Sequence, residues 1–411
     1  MSSILSWDDF DAPEKSTPVA PPPPVPVKPA VVPEATRGFT PPVQALPYSN
    51  DVSEITKRAL TRLHEMRLLG TKDNPFMGAD RIRADDKRII KGSSDVNQLI
   101  PFKYEWAWQK YLDGCANHWM PQEINMTADL GQWQSKDALS EDERLMVNRT
   151  LGFFSVADTM VANNLVMAIF NNITAPEARQ YLLRQAFEEA VHAHSYQYCI
   201  QSLRMDEGET FNMYREVASI AKKMAWALHY TEKLCAIQLD ENSPDHLVQD
   251  FVEGLMVYYC AVEGIFFYCG FIQLLALGRS NKLSGVKEQI EYILRDESMH
   301  ANFGIDVINQ IKAENPSIWT PEFTARLNDR LIEAHCLEME YIRDTLPRGV
   351  IGVNARLHEQ YLMIIGNRRC QQIGIPEQFV IDFDHPYPWM SEMMDLRKEK
   401  NFAEECLYRK V

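Results

Sequence analysis

From residue 101 to about 373, apolar residues recur every three or four positions in long, nearly unbroken blocks, and this period predicts α-helix almost throughout. The block "LSEDERLMVNRTLGFFSVADTMVANNLVMAIFNN" opens with Ser140 and Glu143 at the spacing of a capping box. The next, "TAPEARQYLLRQAFEEAVHAHSYQYCIQSL", opens with Thr174 and an early proline, Pro176, as helix starts do. Further helices are predicted at 209–237, 245–278, 284–314, 320–345 and 354–373, with a second Thr-Pro start at Thr320–Pro321. Short alternating runs bounded by turns do not recur. The pattern predicts an all-α protein, with helices long enough to build a bundle.

One block breaks the amphipathic rule. "VYYCAVEGIFFYCGFIQLLALG", 257–278, is apolar all round and long enough to span a bilayer. Its single charge, Glu263, lies well inside the run and no basic anchors flank it, an arrangement that is costly in lipid. The expectation is a fully buried helix of a soluble protein, with Glu263 facing some partner.

The ends read differently. Residues 1–48 hold about half of the 23 prolines, including "VAPPPPVPVKPAVVP", and predict a disordered or polyproline-like arm. A short helix around 51–69 and a charged loop to about 98 complete a region 49–100. A helical domain is expected over 101–390 and a short tail over 391–411. The opening "MSSILSWDDFD" is acidic where a secretory signal is basic. The net charge of −15 argues against general affinity for nucleic acid or anionic membranes. Eight scattered cysteines without a CxxC pair fit buried thiols in a reducing cytoplasm.

The chemistry lies in acids that interrupt the apolar faces. The chain holds only two E-x-x-H tetrads, "EAVH" (Glu189, His192) and "ESMH" (Glu297, His300), both inside long helices. Each is preceded by a helix with a lone acid: Asp158 lies 31 residues before Glu189, and Glu263 lies 34 before Glu297. Those intervals suit a helix, a connection and a return helix, while the i, i+3 offset puts each Glu and His on one face. Four helices can thus converge six ligands on a bundle core, as in carboxylate-bridged dinuclear proteins. Four carboxylates and two neutral imidazoles carry a charge of −4, which two divalent cations cancel. Hard oxygens with a minority of imidazole favour iron or manganese over zinc.

With "NHWMPQEINM", "FFSVADTMV", "FEEAVHAHSY", "CAVEGIFFYCGF", "ILRDESMH" and "HPYPWM" on the page, the chain from about residue 100 onward resembles the small, radical-generating β subunit of class I ribonucleotide reductase. The resemblance implies a ferritin-like helical bundle whose metal ligands are Asp158, Glu189, His192, Glu263, Glu297 and His300. It implies two iron ions, or manganese, and O2 as the oxidant that converts Tyr196 to a tyrosyl radical. Phe267, Phe271 and Ile293 match the apolar pocket around that radical. Asp296 matches the carboxylate that holds the imidazole of His192 and links it to Trp119, the start of an electron path to the surface. The partners implied are a catalytic α subunit, which reduces ribonucleotides, and a second copy of the chain. No nucleic-acid or membrane partner is expected, and "LPRGVIG" is too weak a match for a phosphate loop.

Some family members carry phenylalanine at the radical position, with a manganese–iron pair and often glutamate as first ligand. Tyr196 and Asp158 place this chain with the tyrosyl type. The family's mobile tail, with its relay tyrosine and docking peptide, is short or altered here: Tyr408 stands alone in "NFAEECLYRKV", and "ILSWDDFD" at the opposite end has a docking peptide's composition. The competing readings are a stand-alone dinuclear oxidase on the same scaffold and a metal-storage or structural helical protein.

Overall fold

The helical period is realised as a series of long helices. In a computed structural model of the chain, which describes residues 83–92, 94, 98–350 and 352–393, they are α1 (Glu105–Ala116), α2 (Thr127–Gln134), α3 (Glu141–Asn164), α4 (Pro176–Leu203), α5 (Glu207–Glu216), α6 (Ala218–Ala236), α7 (Asp245–Met256), α8 (Tyr268–Arg279), α9 (Ser284–Glu314), α10 (Pro321–Thr345), α11 (Ala355–Ile373) and α12 (Pro388–Met393). Among the described residues no β-strand occurs, only the isolated bridges Ile90–Ile173 and Val350–Val353. The chain divides into units at 1–78 and 79–411. The first unit lies outside the described residues, and with it the proline-rich arm, "ILSWDDFD" and the helix expected at 51–69; so do residues 394–411 with Tyr408.

Local chemistry explains where the helices start. At α3 the Glu143 amide donates to Ser140 Oγ at 3.2 Å and the Ser140 amide donates to Glu143 Oε2 at 2.8 Å, which closes the capping box. Thr320 caps α10 through the Phe323 amide. Thr174 departs from expectation. Ala175 is the residue preceding α4, and Thr174 instead accepts from the Gly92 amide (2.9 Å) and donates to the Arg88 carbonyl (3.0 Å). Pro176 at the first helical position lacks an N–H, so α4 has one fewer orphan donor to cap. The preceding charged segment is likewise drawn into the core, where buried Lys87 pairs with buried Glu177 at 3.1 Å.

The helix predicted at 209–237 is two helices, because Val217 is extended (φ −94°, ψ 108°) between α5 and α6. No glycine or proline marks that break.

The apolar block is neither exposed nor wholly α-helical. Asp245–Arg279 is long and apolar enough to cross a membrane, yet its most apolar window is completely buried by the rest of the fold. Between α7 and α8, Val257–Phe267 is π-helical, and a shorter π-helical stretch, Leu165–Ile169, follows α3. Such wide turns are rare and recur at functional sites. Here the wide turn presses Tyr259 into α9, where a Cβ on Gly304 would come 1.9 Å from the ring. Arg369 of α11 braces the same segment by donating twice to the Gly264 carbonyl, at 3.1 and 3.0 Å. Helix propensity alone would favour Gly304→Ala by about 1 kcal/mol, but overpacking a filled core costs about 1–3 kcal/mol. Gly304→Ala is therefore expected to lower the denaturation midpoint, and an unchanged or raised midpoint would contradict this packing.

In the centre of the bundle, α3 lies along α4, while the π-helical segment and α8 lie along α9. Four of these five elements, α3, α4, the π-helical segment and α9, carry every acid and histidine that the spacing singled out.

Candidate metal centre

Asp158 comes from α3, Glu189 and His192 from α4, Glu263 from the π-helical segment, and Glu297 and His300 from α9. All six are completely buried. Their donor atoms fall into two overlapping groups, Asp158–Glu189–His192–Glu297 and Glu189–Glu263–Glu297–His300, each within 4.8 Å mutual distance. Glu189 and Glu297 belong to both. Glu297 turns Oε1 to within 3.1 Å of His192 Nδ1 and Oε2 to within 3.5 Å of His300 Nδ1. Glu189 does the reverse, with Oε2 at 3.5 Å from His192 Nδ1 and Oε1 at 3.0 Å from His300 Nδ1.

None of the inward atoms makes a hydrogen bond: both oxygens of Asp158, Glu189 and Glu297, Oε2 of Glu263, and Nδ1 of both histidines. Buried polar atoms are nearly always satisfied, so a concentration of unsatisfied ones facing a common centre is what two cations would relieve. Oxygen-rich donors with one imidazole on each side fit iron or manganese.

The electrostatics of the cluster say the same. Burial, then Glu189 and Glu297, hold the Asp158 carboxyl far above its ordinary range, and burial with the same two neighbours does so for Glu263. Burial alone would lower His192 and His300, but the surrounding carboxylates push both well above the ordinary imidazole value. Glu189, opposed by burial but held between the two imidazoles, drops to about 2. Binding of cations to such donors is coupled to release of their protons.

The outward faces of the histidines are tied down symmetrically. His192 Nε2 lies 3.1 Å from Asp296 Oδ2, and His300 Nε2 lies 2.8 Å from Glu188 Oε2. Asp296 precedes Glu297 on α9 but holds the histidine of α4; Glu188 precedes Glu189 on α4 but holds the histidine of α9. Carboxylates behind ligating histidines fix the ring and raise its basicity. Asp296 also accepts from Trp119 Nε1 at 2.9 Å and from the side-chain Nδ2 of Asn117. Glu188 accepts from Arg184 Nε at 2.9 Å. Glu263 is aimed by Gln185, whose Nε2 donates to Oε1 at 2.9 Å while its own oxygen accepts from Tyr259. Sequence reasoning passed over Glu188, although "EEAVH" and "DESMH" share a doubled acid that could have revealed it.

Tyr196 is completely buried, and its hydroxyl has no hydrogen-bond partner. Burial, then Asp158, Glu297 and Glu189, push the phenol far up from its ordinary value. Its ring stacks on Phe154 at 5.0 Å, a contact the periodicity did not single out. Phe267 and Phe271 reach this pocket by packing on Phe154, at 5.6 and 5.1 Å, and Ile293 is fully buried. Gly270 leaves room for Phe154, since a Cβ there would come 2.5 Å from the ring.

The description "Ribonucleotide reductase, small chain" fits residues 96–386, more than half of the sequence and every residue of this site. The chain belongs to the ribonucleotide reductase small-chain family. It is 49% identical over 325 residues to the ribonucleoside-diphosphate reductase subunit beta of Chlamydia pneumoniae, covering 79% of this chain and 93% of that one. It is 29% identical to the small subunit of Dictyostelium discoideum, over 77% of this chain and 86% of the relative. Among solved structures, the ribonucleotide reductase R2 subunit from Clostridium botulinum superposes with a TM-score of 0.66 at 25% identity, covering 75% and 94% of the two chains. An R2-like ligand-binding oxidase with a reconstituted Mn/Fe cofactor shares the fold at a TM-score of 0.54 and 20% identity, over 68% of this chain and 98% of that one. The chain is thus the small subunit of an oxidoreductase, built on the ferritin-like bundle of the R2 subunits.

Proposed function

We propose that this chain generates and stores a tyrosyl radical on Tyr196 and lends its oxidising power to a catalytic α subunit, which reduces ribonucleoside diphosphates. The observation that carries the reading is the convergence of six buried donors whose shared carboxylates, Glu189 and Glu297, face two positions at once. A pair of iron ions, or manganese on the same donors, would supply the oxidising power, drawn from O2, that takes an electron from the phenol. Among the ligands, Asp158 is the carboxylate whose charge bears most strongly on the Tyr196 phenol. The apolar wall led by Phe154 offers the radical no hydrogen to abstract easily and excludes water.

The two tied histidines end differently, and this supports a direction for the transfer. Asp296 leads from His192 to Trp119, an oxidisable indole. Glu188 leads from His300 to Arg184, a guanidinium that does not exchange electrons. Current therefore leaves through Trp119. We further infer a homodimer acting in the cytoplasm, as the resemblance implies.

The test is metal analysis with electron paramagnetic resonance on the reconstituted protein. About two metals per chain, as a two-metal site requires, a tyrosyl signal, and turnover only with an added catalytic subunit are expected; turnover without a partner would favour a stand-alone oxidase. Trp119→Phe keeps the stacking on Tyr292 but loses the N–H to Asp296. It is expected to retain the radical and lose about 100-fold in turnover, the upper range for outer partners of a metal ligand.

A further inference from the structure

The bundle buries a second set of charges that the radical chemistry above does not use. Lys223 of α6 is completely buried, with Nζ 2.6 Å from Oε2 of the equally buried Glu338 of α10. The same ammonium lies over three ring faces, 3.7 Å from the centroid of Phe153, 4.0 Å from Tyr341 and 4.5 Å from Phe266. Apolar residues of similar volume often hold helices at least as well as a buried ion pair, so packing alone does not account for the position. Burial pulls the Lys223 ammonium below its ordinary value and Glu338 opposes that pull, while the electron-rich ring faces favour the charged form.

Those rings form a junction. On one side Phe153 lies 5.6 Å from Phe154, the ring stacked on Tyr196. On the other, Phe153 lies 5.7 Å from Tyr341, and Phe266 lies 5.9 Å from Trp226, which meets Tyr230 at 5.2 Å. Contiguous aromatic contacts therefore run from Tyr196 through Phe154 and Phe153 to Tyr341, a second set runs from Phe266 to the partly exposed Trp226, and the Lys223 ammonium lies between the two sets.

We propose that Lys223, fixed by Glu338, is a positioning residue that keeps the oxidising equivalent on Tyr196 by opposing its escape through Phe153 to Tyr341, and across the ammonium's own site to Phe266 and Trp226. This rests on the reading of Tyr196 given above. In the escape that is opposed, one electron passes from Tyr341 to the Tyr196 radical, leaving a cation radical on the Tyr341 ring, while Tyr196 takes back the proton it released on oxidation and returns to a phenol. The ring giving up the electron would carry positive charge about 4 Å from the ammonium, in surroundings that screen little. Trp226 would face the same opposition through Phe266.

The experiment compares radical decay by electron paramagnetic resonance in the metal-loaded parent and in Lys223→Met/Glu338→Gln, which removes both charges at similar volume. The double variant is expected to form the radical and lose it about tenfold faster, a factor of ten in rate, with a second aromatic radical signal growing in. Adding Tyr341→Phe and Trp226→Phe is expected to abolish that second signal and restore the lifetime. A double variant with intact metal content and helicity whose radical decays as in the parent overturns the proposal. So does a lengthened lifetime in Tyr341→Phe/Trp226→Phe with Lys223 and Glu338 in place, because escape would then proceed despite the ammonium. A parent protein that forms no tyrosyl signal overturns the Tyr196 reading, and this one with it, so the parent spectrum tells the two failures apart.

Discussion

Glu297→Ala is expected to empty both metal positions together. Each of its oxygens faces a different histidine, Oε1 toward His192 and Oε2 toward His300, and it belongs to both donor groups. Its loss leaves only three donors on each side and removes one of the two carboxylates common to both. Metal content should fall from about two per chain to well below one, and the tyrosyl signal should vanish. A ligand that binds only the folded state stabilises it by mass action, so the rise in melting temperature on adding metal should shrink as well. Asp158→Ala, which strips one position alone, is the control; equal metal loss in both variants would show that Glu297 is not shared.

Tyr196→Phe is expected to abolish the tyrosyl signal while leaving two metals bound. The hydroxyl has no hydrogen-bond partner to lose, and the stacking on Phe154 survives the change. Removing a buried hydroxyl that makes no hydrogen bond costs little stability, so the melting temperature should stay close to that of the parent. Turnover with the catalytic subunit should fall to background. Turnover surviving with no radical on this residue would move the oxidising equivalent to the metals, as in the manganese–iron members of the family.

Both results depend on residues that could be found along the chain without coordinates. The tetrads declare themselves by the i, i+3 offset, and Asp158 and Glu263 by being acids alone in apolar faces. What escaped notice is set by contacts between helices. Gln185 looks like an ordinary polar position until α4 meets the π-helical segment, and Asn117 until the segment after α1 meets α9. Phe154 is one apolar residue among many until it lies flat on Tyr196. The π-helical turn around Glu263 was illegible for a different reason: a segment apolar on every side has no amphipathic phase, so a change of helical register leaves no trace in it. Val217 interrupts a helix with neither of the residues that usually announce a break.

The crossed tie between α4 and α9 constrains how such a centre can arise. Because each helix brings the brace for the other's imidazole, neither motif is finished by its own segment of chain. A lone tetrad transplanted into a foreign scaffold would bring a ring free to swivel and an acid with nothing to hold. Docking of the two segments in register completes both imidazole braces in a single event.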